Sequence, residues 1–152
     1  MKTSALHLAA GTLLAIAVGY SPSVWAVDNV VSKDAPELAS VRAKIKAKDF
    51  KGAIVELTPM LATNQHADVY NLMGFSLRKT GDYKQAYTFY RKALDFDPQH
   101  KGALEYLGEL YVETGQLDKA KENVALLQKI CPAGCEELSD LQEAIAGAPK
   151  TN

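Results

Sequence analysis

The sequence has few of the residues from which catalytic and metal centres are built. Its 152 residues include two cysteines, three histidines and one tryptophan. It contains no Gly-rich phosphate loop, no H-E-x-x-H zinc motif and no nucleophile elbow. Its charges nearly cancel, with 17 basic and 18 acidic residues, which argues against nucleic acid as the main partner. We therefore expect a binding protein that is not an enzyme and that uses no cofactor or metal.

Long apolar runs are also scarce, and the longest lies at the N-terminus. It extends from Ala5 to Val18, which is shorter than the roughly 20 residues of a membrane-spanning helix. Lys2 is the lone charge before it and small residues lead to Ala26, a pattern typical of a signal peptide. We predict a signal peptide over 1–26, cleavage after Ala26, a linker over 27–33, periplasmic localisation and no membrane span in the mature chain. A retained anchor and a eukaryotic secretory route are the alternatives.

The strongest positive pattern is a 34-residue period in the second half of the chain. It aligns, without a gap, Gly74, Gly81, Ala86 and Pro98 with Gly108, Gly115, Ala120 and Pro132. Apolar residues before each of the turn glycines follow the spacing of one helical face. Gly81 and Gly115 stand where a first helix must stop and the chain must reverse, a position that commonly requires positive φ. Each period therefore predicts two helices joined by a tight turn.

The repeat resembles the tetratricopeptide repeat. The residues that carry the resemblance are Tyr70, Gly74, Ala86, Tyr90, Ala93 and Pro98. The family implies an all-α fold, a short right-handed superhelix of helix–turn–helix units. We place a degenerate unit at 34–66, full units at 67–100 and 101–134, a capping helix at 135–146 and a flexible tail at 147–152. Pro59 is expected to kink or shorten the second helix of the degenerate unit.

The resemblance also implies a concave groove, lined by the first helix of each unit, that binds a protein or peptide partner. Transfer of the family's positions places eight residues in it: Asn71, Phe75, Arg78, Lys79, Glu105, Tyr106, Glu109 and Glu113. The groove so drawn is basic from Arg42 to Lys79 and acidic along the three glutamates, and it would favour a peptide with charges in the complementary order. Alternatively, the glutamates form an ordinary solvated stripe and Phe75 packs against a neighbouring helix.

The two cysteines flank the turn before the predicted capping helix. In an oxidising compartment Cys131 and Cys135 are expected to form a structural disulfide.

Our leading hypothesis is a scaffold or adaptor that holds a peptide or partner helix and helps to assemble an envelope complex. The alternative is a thiol-redox or copper-handling protein that uses the cysteine pair. A third hypothesis is assembly of several copies through the apolar ends of the repeat stack.

Overall fold

The computed structural model describes residues 36–149, which form seven α-helices and their connecting turns. The predicted signal peptide, the linker and the last three residues lie outside this range. The predicted all-α repeat fold is confirmed. The helices are α1 (Ala39–Lys46), α2 (Phe50–Thr63), α3 (Ala67–Lys79), α4 (Tyr83–Phe96), α5 (Lys101–Glu113), α6 (Leu117–Ile130) and α7 (Glu136–Ala146).

The turns within the helix pairs share one backbone conformation. Gly81 and Gly115 have φ values of +89° and +74°, as expected for glycines that end a helix in the left-handed region. Lys48 takes the corresponding place between α1 and α2 with a φ of +62°. A lysine in this region is disfavoured by its Cβ, so the first turn is less well suited to its conformation than the later two.

An aspartate caps the N-terminus of the second helix in the first two pairs, and a histidine caps the N-terminus of α3 and of α5. The carboxylate of Asp49 accepts a hydrogen bond from the Gly52 backbone N–H at 2.9 Å, and Asp82 accepts one from Gln85 at 3.1 Å. The imidazoles of His66 and His100 accept bonds from backbone N–H groups in the first turns of α3 and α5. These bonds satisfy helix donors that have no partner inside the helix.

The glycines inside the first helices allow close helix packing. A Cβ at Gly74 would lie 2.8 Å from the ring of Tyr90, which is fully buried. A Cβ at Gly108 would lie 2.5 Å from a methyl group of Leu141 in α7. Helix α7 thus packs on α5 and also on α6.

Pro59 does not shorten α2, so that part of the expectation is wrong. Helix α2 has 14 residues, the same number as α4 and α6. Proline lacks the N–H that would bond to the carbonyl of Val55 four residues earlier. Val55 is 73% exposed and Pro59 also faces solvent, so water can hydrate the carbonyl that the proline leaves unbonded.

Candidate functional site

Four helices contribute residues to one cleft of about 300 Å³. These are the first helix of each pair, α1, α3 and α5, together with α7. Five of the lining residues are acidic: Asp68, Glu105, Glu136, Glu137 and Asp140. We call this the acidic cleft. Its other lining residues are Arg42, Asn71, Leu72, His100, Gly102 and Tyr106.

Asn71 lies in the wall of the acidic cleft and is 5% exposed. Its side-chain oxygen Oδ1 is buried and has no hydrogen-bond partner among residues 36–149. A Cβ on the neighbouring Gly102 would come within 3.2 Å of Asn71 Nδ2, so the glycine leaves room for the amide. An unbonded buried acceptor costs about 1–3 kcal/mol, and a ligand that donates a hydrogen bond would remove that cost.

Glu105 is also inside the cleft wall and is 6% exposed. Burial raises the pKa of its carboxyl group to about 8, and the nearby carboxylates of Glu109, Asp140 and Glu137 raise it further than Arg78 lowers it. At pH 7 the Glu105 carboxyl group is therefore largely protonated and neutral. It can ionise when a positive charge comes close to it.

Asp68 is held by its neighbours on the opposite side of the cleft. His100 Nδ1 accepts the N–H of Ala103, so in the neutral imidazole the proton lies on Nε2, which donates to Asp68 at 3.0 Å. Arg42 Nη2 lies 3.8 Å from the same carboxylate, with its side chain 57% exposed. Lys101 Nζ similarly lies 3.4 Å from Glu137. Glu136 and Asp140 are exposed at the rim, without an ion-pair partner within the described part of the chain.

Aromatic rings continue the surface beyond the acidic cleft. The rings of Phe75 and Tyr106 are half-buried and 4.8 Å apart between centroids, and Phe50 meets Phe75 edge to face at 6.2 Å. Burial raises the pKa of Tyr106 to about 12. Lys79 is exposed, with its ammonium group 5.3 Å from the centre of the Phe75 ring. Phe75 thus packs against neighbouring helices, as the alternative interpretation expected, while part of its ring stays open to solvent.

The separation of charges predicted along the groove does not hold at Arg78. Its side chain is 2% exposed and forms ion pairs with both Glu109 and Glu113, the latter at 2.7 Å. The guanidinium group also lies over the rings of Phe75 and Tyr106. Two glutamates one turn apart on α5 match the fork of the guanidinium, so the positive charge of Arg78 is compensated across the interface between α3 and α5. Arg78 therefore joins two units rather than presenting a free positive charge.

Sequence reasoning missed the contribution of α7 to the cleft. The sequence predicted only a capping helix here, and none of its acidic residues was expected in the groove. The sequence does carry a signal for two of these acidic residues. When the 34-residue period is extended once more, Glu136 and Asp140 take the positions that Gly102 and Tyr106 hold on the preceding first helix. The capping helix thus occupies the place that the first helix of a further unit would take.

Neither cysteine lines the acidic cleft, although Cys135 directly precedes the lining residue Glu136. Cys131 and Cys135 have their sulfur atoms at disulfide distance, with Cα atoms 6.0 Å apart, and they pack against the apolar cluster between α6 and α7. Within residues 36–149, no three His, Cys, Asp or Glu side chains are grouped so that they could hold a metal ion. In the same range, no helix is both long and apolar enough to cross a membrane.

A family model described as tetratricopeptide repeat matches residues 77–145, which confirms the resemblance found in the sequence. Curated relatives include the BBSome complex member BBS4 of Bos taurus, 34% identical over 80 residues, which are 53% of this chain and 15% of that protein. Another is the uncharacterized protein ycf37 of Guillardia theta, 36% identical over 56 residues, which are 37% of this chain and 32% of that protein. The chain spans less than a third of the length of either relative.

Two solved structures share the fold. The structure of PcrH in complex with the chaperone binding region of PopB has a TM-score of 0.60 and 17% identity, over 71% of this chain and 88% of that chain. The type III secretion translocator chaperone SycD of Yersinia enterocolitica, in an alternative dimer, has a TM-score of 0.62 and 13% identity. That match covers 77% of this chain and 92% of the other.

Proposed function

We propose that this chain, which carries tetratricopeptide repeats, is a non-enzymatic scaffold that holds a peptide segment or helix of a partner protein in the acidic cleft. The observation that carries the proposal is the unbonded oxygen of Asn71, buried in a cleft that four helices line. A peptide offers backbone and side-chain N–H donors in abundance, and one such donor would satisfy this oxygen. PcrH, whose fold this chain shares, was crystallised with a bound segment of another protein.

The half-buried rings beside the cleft support the same proposal. Aromatic side chains contribute more binding energy than most residues when a partner covers them. Phe75 and Tyr106 already pack on each other, so little side-chain freedom would be lost when a partner covers their open edges. Among the eight residues expected in the groove, we assign the contact role to Asn71, Phe75, Lys79, Glu105 and Tyr106. Arg78 and its two glutamates instead hold α3 and α5 in position.

A photo-crosslinking experiment in cells tests this proposal. The crosslinker p-benzoylphenylalanine is introduced at Arg42 or Glu136, which border the cleft, and at the exposed Val55 or Leu126 outside it. We expect a partner to be captured from the first two positions and not from the last two. Capture from the outer positions alone, or equally from all four, would overturn the proposal.

We further propose that the chain is exported to the periplasm, with cleavage after Ala26, and serves in the assembly of an envelope complex. The N-terminal sequence pattern supports the export, as does a cysteine pair placed for a disulfide in an oxidising compartment. The protein purified from the periplasm without reductant should begin at Val27 and take up no iodoacetamide. Retention of residues 1–26, or alkylation of both thiols, would contradict the proposal. Partner capture that is lost when both cysteines are replaced by serine would instead favour the thiol or copper alternative.

A further inference from the structure

The acidic cleft contains several acceptors that lack partners. The buried Oδ1 of Asn71 has no donor within residues 36–149, and the carboxylates of Glu136 and Asp140 stand at the rim without a cation. With Glu105 protonated, four carboxylates still line the cleft, against two cations: the guanidinium of Arg42 and the ammonium of Lys101, which lies 3.4 Å from Glu137. A ligand that fits must therefore bring donors and positive charge together.

We propose that the acidic cleft binds the basic side chain of a lysine or arginine in the partner peptide, an inference that rests on the proposed function. Such a side chain carries only donors, three on an ammonium and five on a guanidinium, and has no acceptor to leave unsatisfied. Its cation would lie against Glu105 and Asp140, and one of its N–H groups would bond to Asn71 Oδ1 once the side-chain amide turns this buried oxygen toward the cleft. Arg42 does not fill this place, because it extends toward Asp68 and is largely exposed.

Glu105 gives this binding a distinctive dependence on pH. The charged or titratable groups around it are Arg78 and Asp68 of α3, Tyr106 and Glu109 of its own helix, Glu136, Glu137 and Asp140 of α7, His100 before α5, and Arg42 of α1. The carboxylates keep Glu105 neutral in the free protein, whereas a bound cation favours its ionised form. Binding therefore releases a proton. It tightens between pH 7 and 9 by about fivefold if the cation lowers the Glu105 pKa by one unit, and by at most about tenfold for larger shifts.

A peptide titration followed by amide shifts in nuclear magnetic resonance tests the inference. The probes are a capped pentapeptide with one lysine between glycines and serines, its arginine analogue, and its norleucine analogue, which has the same chain without the charge. We expect the two basic peptides to shift amides of α5 and α7 and the norleucine peptide to bind about tenfold more weakly. In Glu105→Gln, the lysine peptide should bind more weakly and its affinity should not change between pH 7 and 9. The exposed Glu122→Gln variant on α6 should behave as the wild type.

Three results would overturn the inference. They are equal affinities for the lysine and norleucine peptides, lysine-peptide shifts confined to helices outside the cleft, and no shift up to the solubility limit of the peptide. None of these touches the scaffold proposal, which depends on capture from Arg42 and Glu136. If capture succeeds and the crosslinked segment has no basic residue, the scaffold stands and the preference for a cation is refuted. If neither cleft position captures a partner, the scaffold itself fails.

Discussion

Replacing the buried Glu105 with glutamine should make the protein more stable at high pH. The folded-state pKa of Glu105 is raised to about 8 from an ordinary value of 4.5. Between these two values the folded chain binds more protons than the unfolded chain, so the free energy of unfolding falls as pH rises. The stability that Glu105 contributes is complete below about pH 4.5 and is lost as the pH rises toward 8. Glutamine has no proton to lose and escapes this penalty.

The magnitude follows from the shift in the Glu105 pKa. At 1.36 kcal/mol per pKa unit, the full shift would correspond to about 5 kcal/mol. The Glu105 side chain is buried, so little of this free energy is lost to solvent screening. With pKa values of 4.5 and about 8, the difference between Glu105→Gln and wild type should therefore shift by about 4 kcal/mol in favour of the variant between pH 5 and pH 9.

Urea unfolding followed by circular dichroism at pH 5, 7 and 9 measures this difference. Other ionisable groups cancel, because both proteins carry them. Glu122→Gln on the exposed face of α6 is the control, and its stability should track that of the wild type at each pH. A Glu105→Gln effect that is the same at pH 5 and pH 9, or that turns destabilising at pH 9, would refute the burial-based account of the raised pKa.

Three further substitutions test the packing by chemical denaturation. Changing Glu109 and Glu113 together to glutamine should destabilise the fold by about 3 kcal/mol, since Arg78 would stay buried without a counter-charge; a loss under about 1 kcal/mol would show that the pairs matter little. Gly74→Ala should cost about 1–3 kcal/mol because its Cβ meets a buried tyrosine ring, and a more stable variant would contradict the close contact. Lys48→Gly should gain about 1 kcal/mol by relieving the left-handed φ, whereas a loss would speak against strain there.

The repeat pattern made most of the fold predictable from the sequence. Gly81 and Gly115 mark reversals that require positive φ, and their spacing sets the register of the helices between them. The effect of Pro59 was misjudged because the sequence does not reveal which side of α2 faces water. On a solvated side, a proline removes one hydrogen bond that water can replace, and the helix continues.

The candidate site was only partly predictable. The family positions identify Asn71 and Glu105. Two carboxylates that add to the raised pKa of the glutamate, Glu137 and Asp140, belong to α7, whose acidic face joins the cleft from a distant part of the sequence. Charge alone suggested that Arg78 was free. Its pairing depends on the distance between α3 and α5, which helix packing sets and which no local pattern encodes.

Substituting Asn71 with leucine tests the central claim most directly, because its effects on folding and on binding have opposite signs. Leucine has a similar size and removes the buried oxygen that lacks a partner, so the free protein should become about 1 kcal/mol more stable. The same change removes the acceptor offered to a ligand. The affinity for the partner segment captured from the Arg42 position should then fall about tenfold, as expected for a lost hydrogen bond of about 1.4 kcal/mol. Unchanged affinity in a well-folded Asn71→Leu protein would contradict the account.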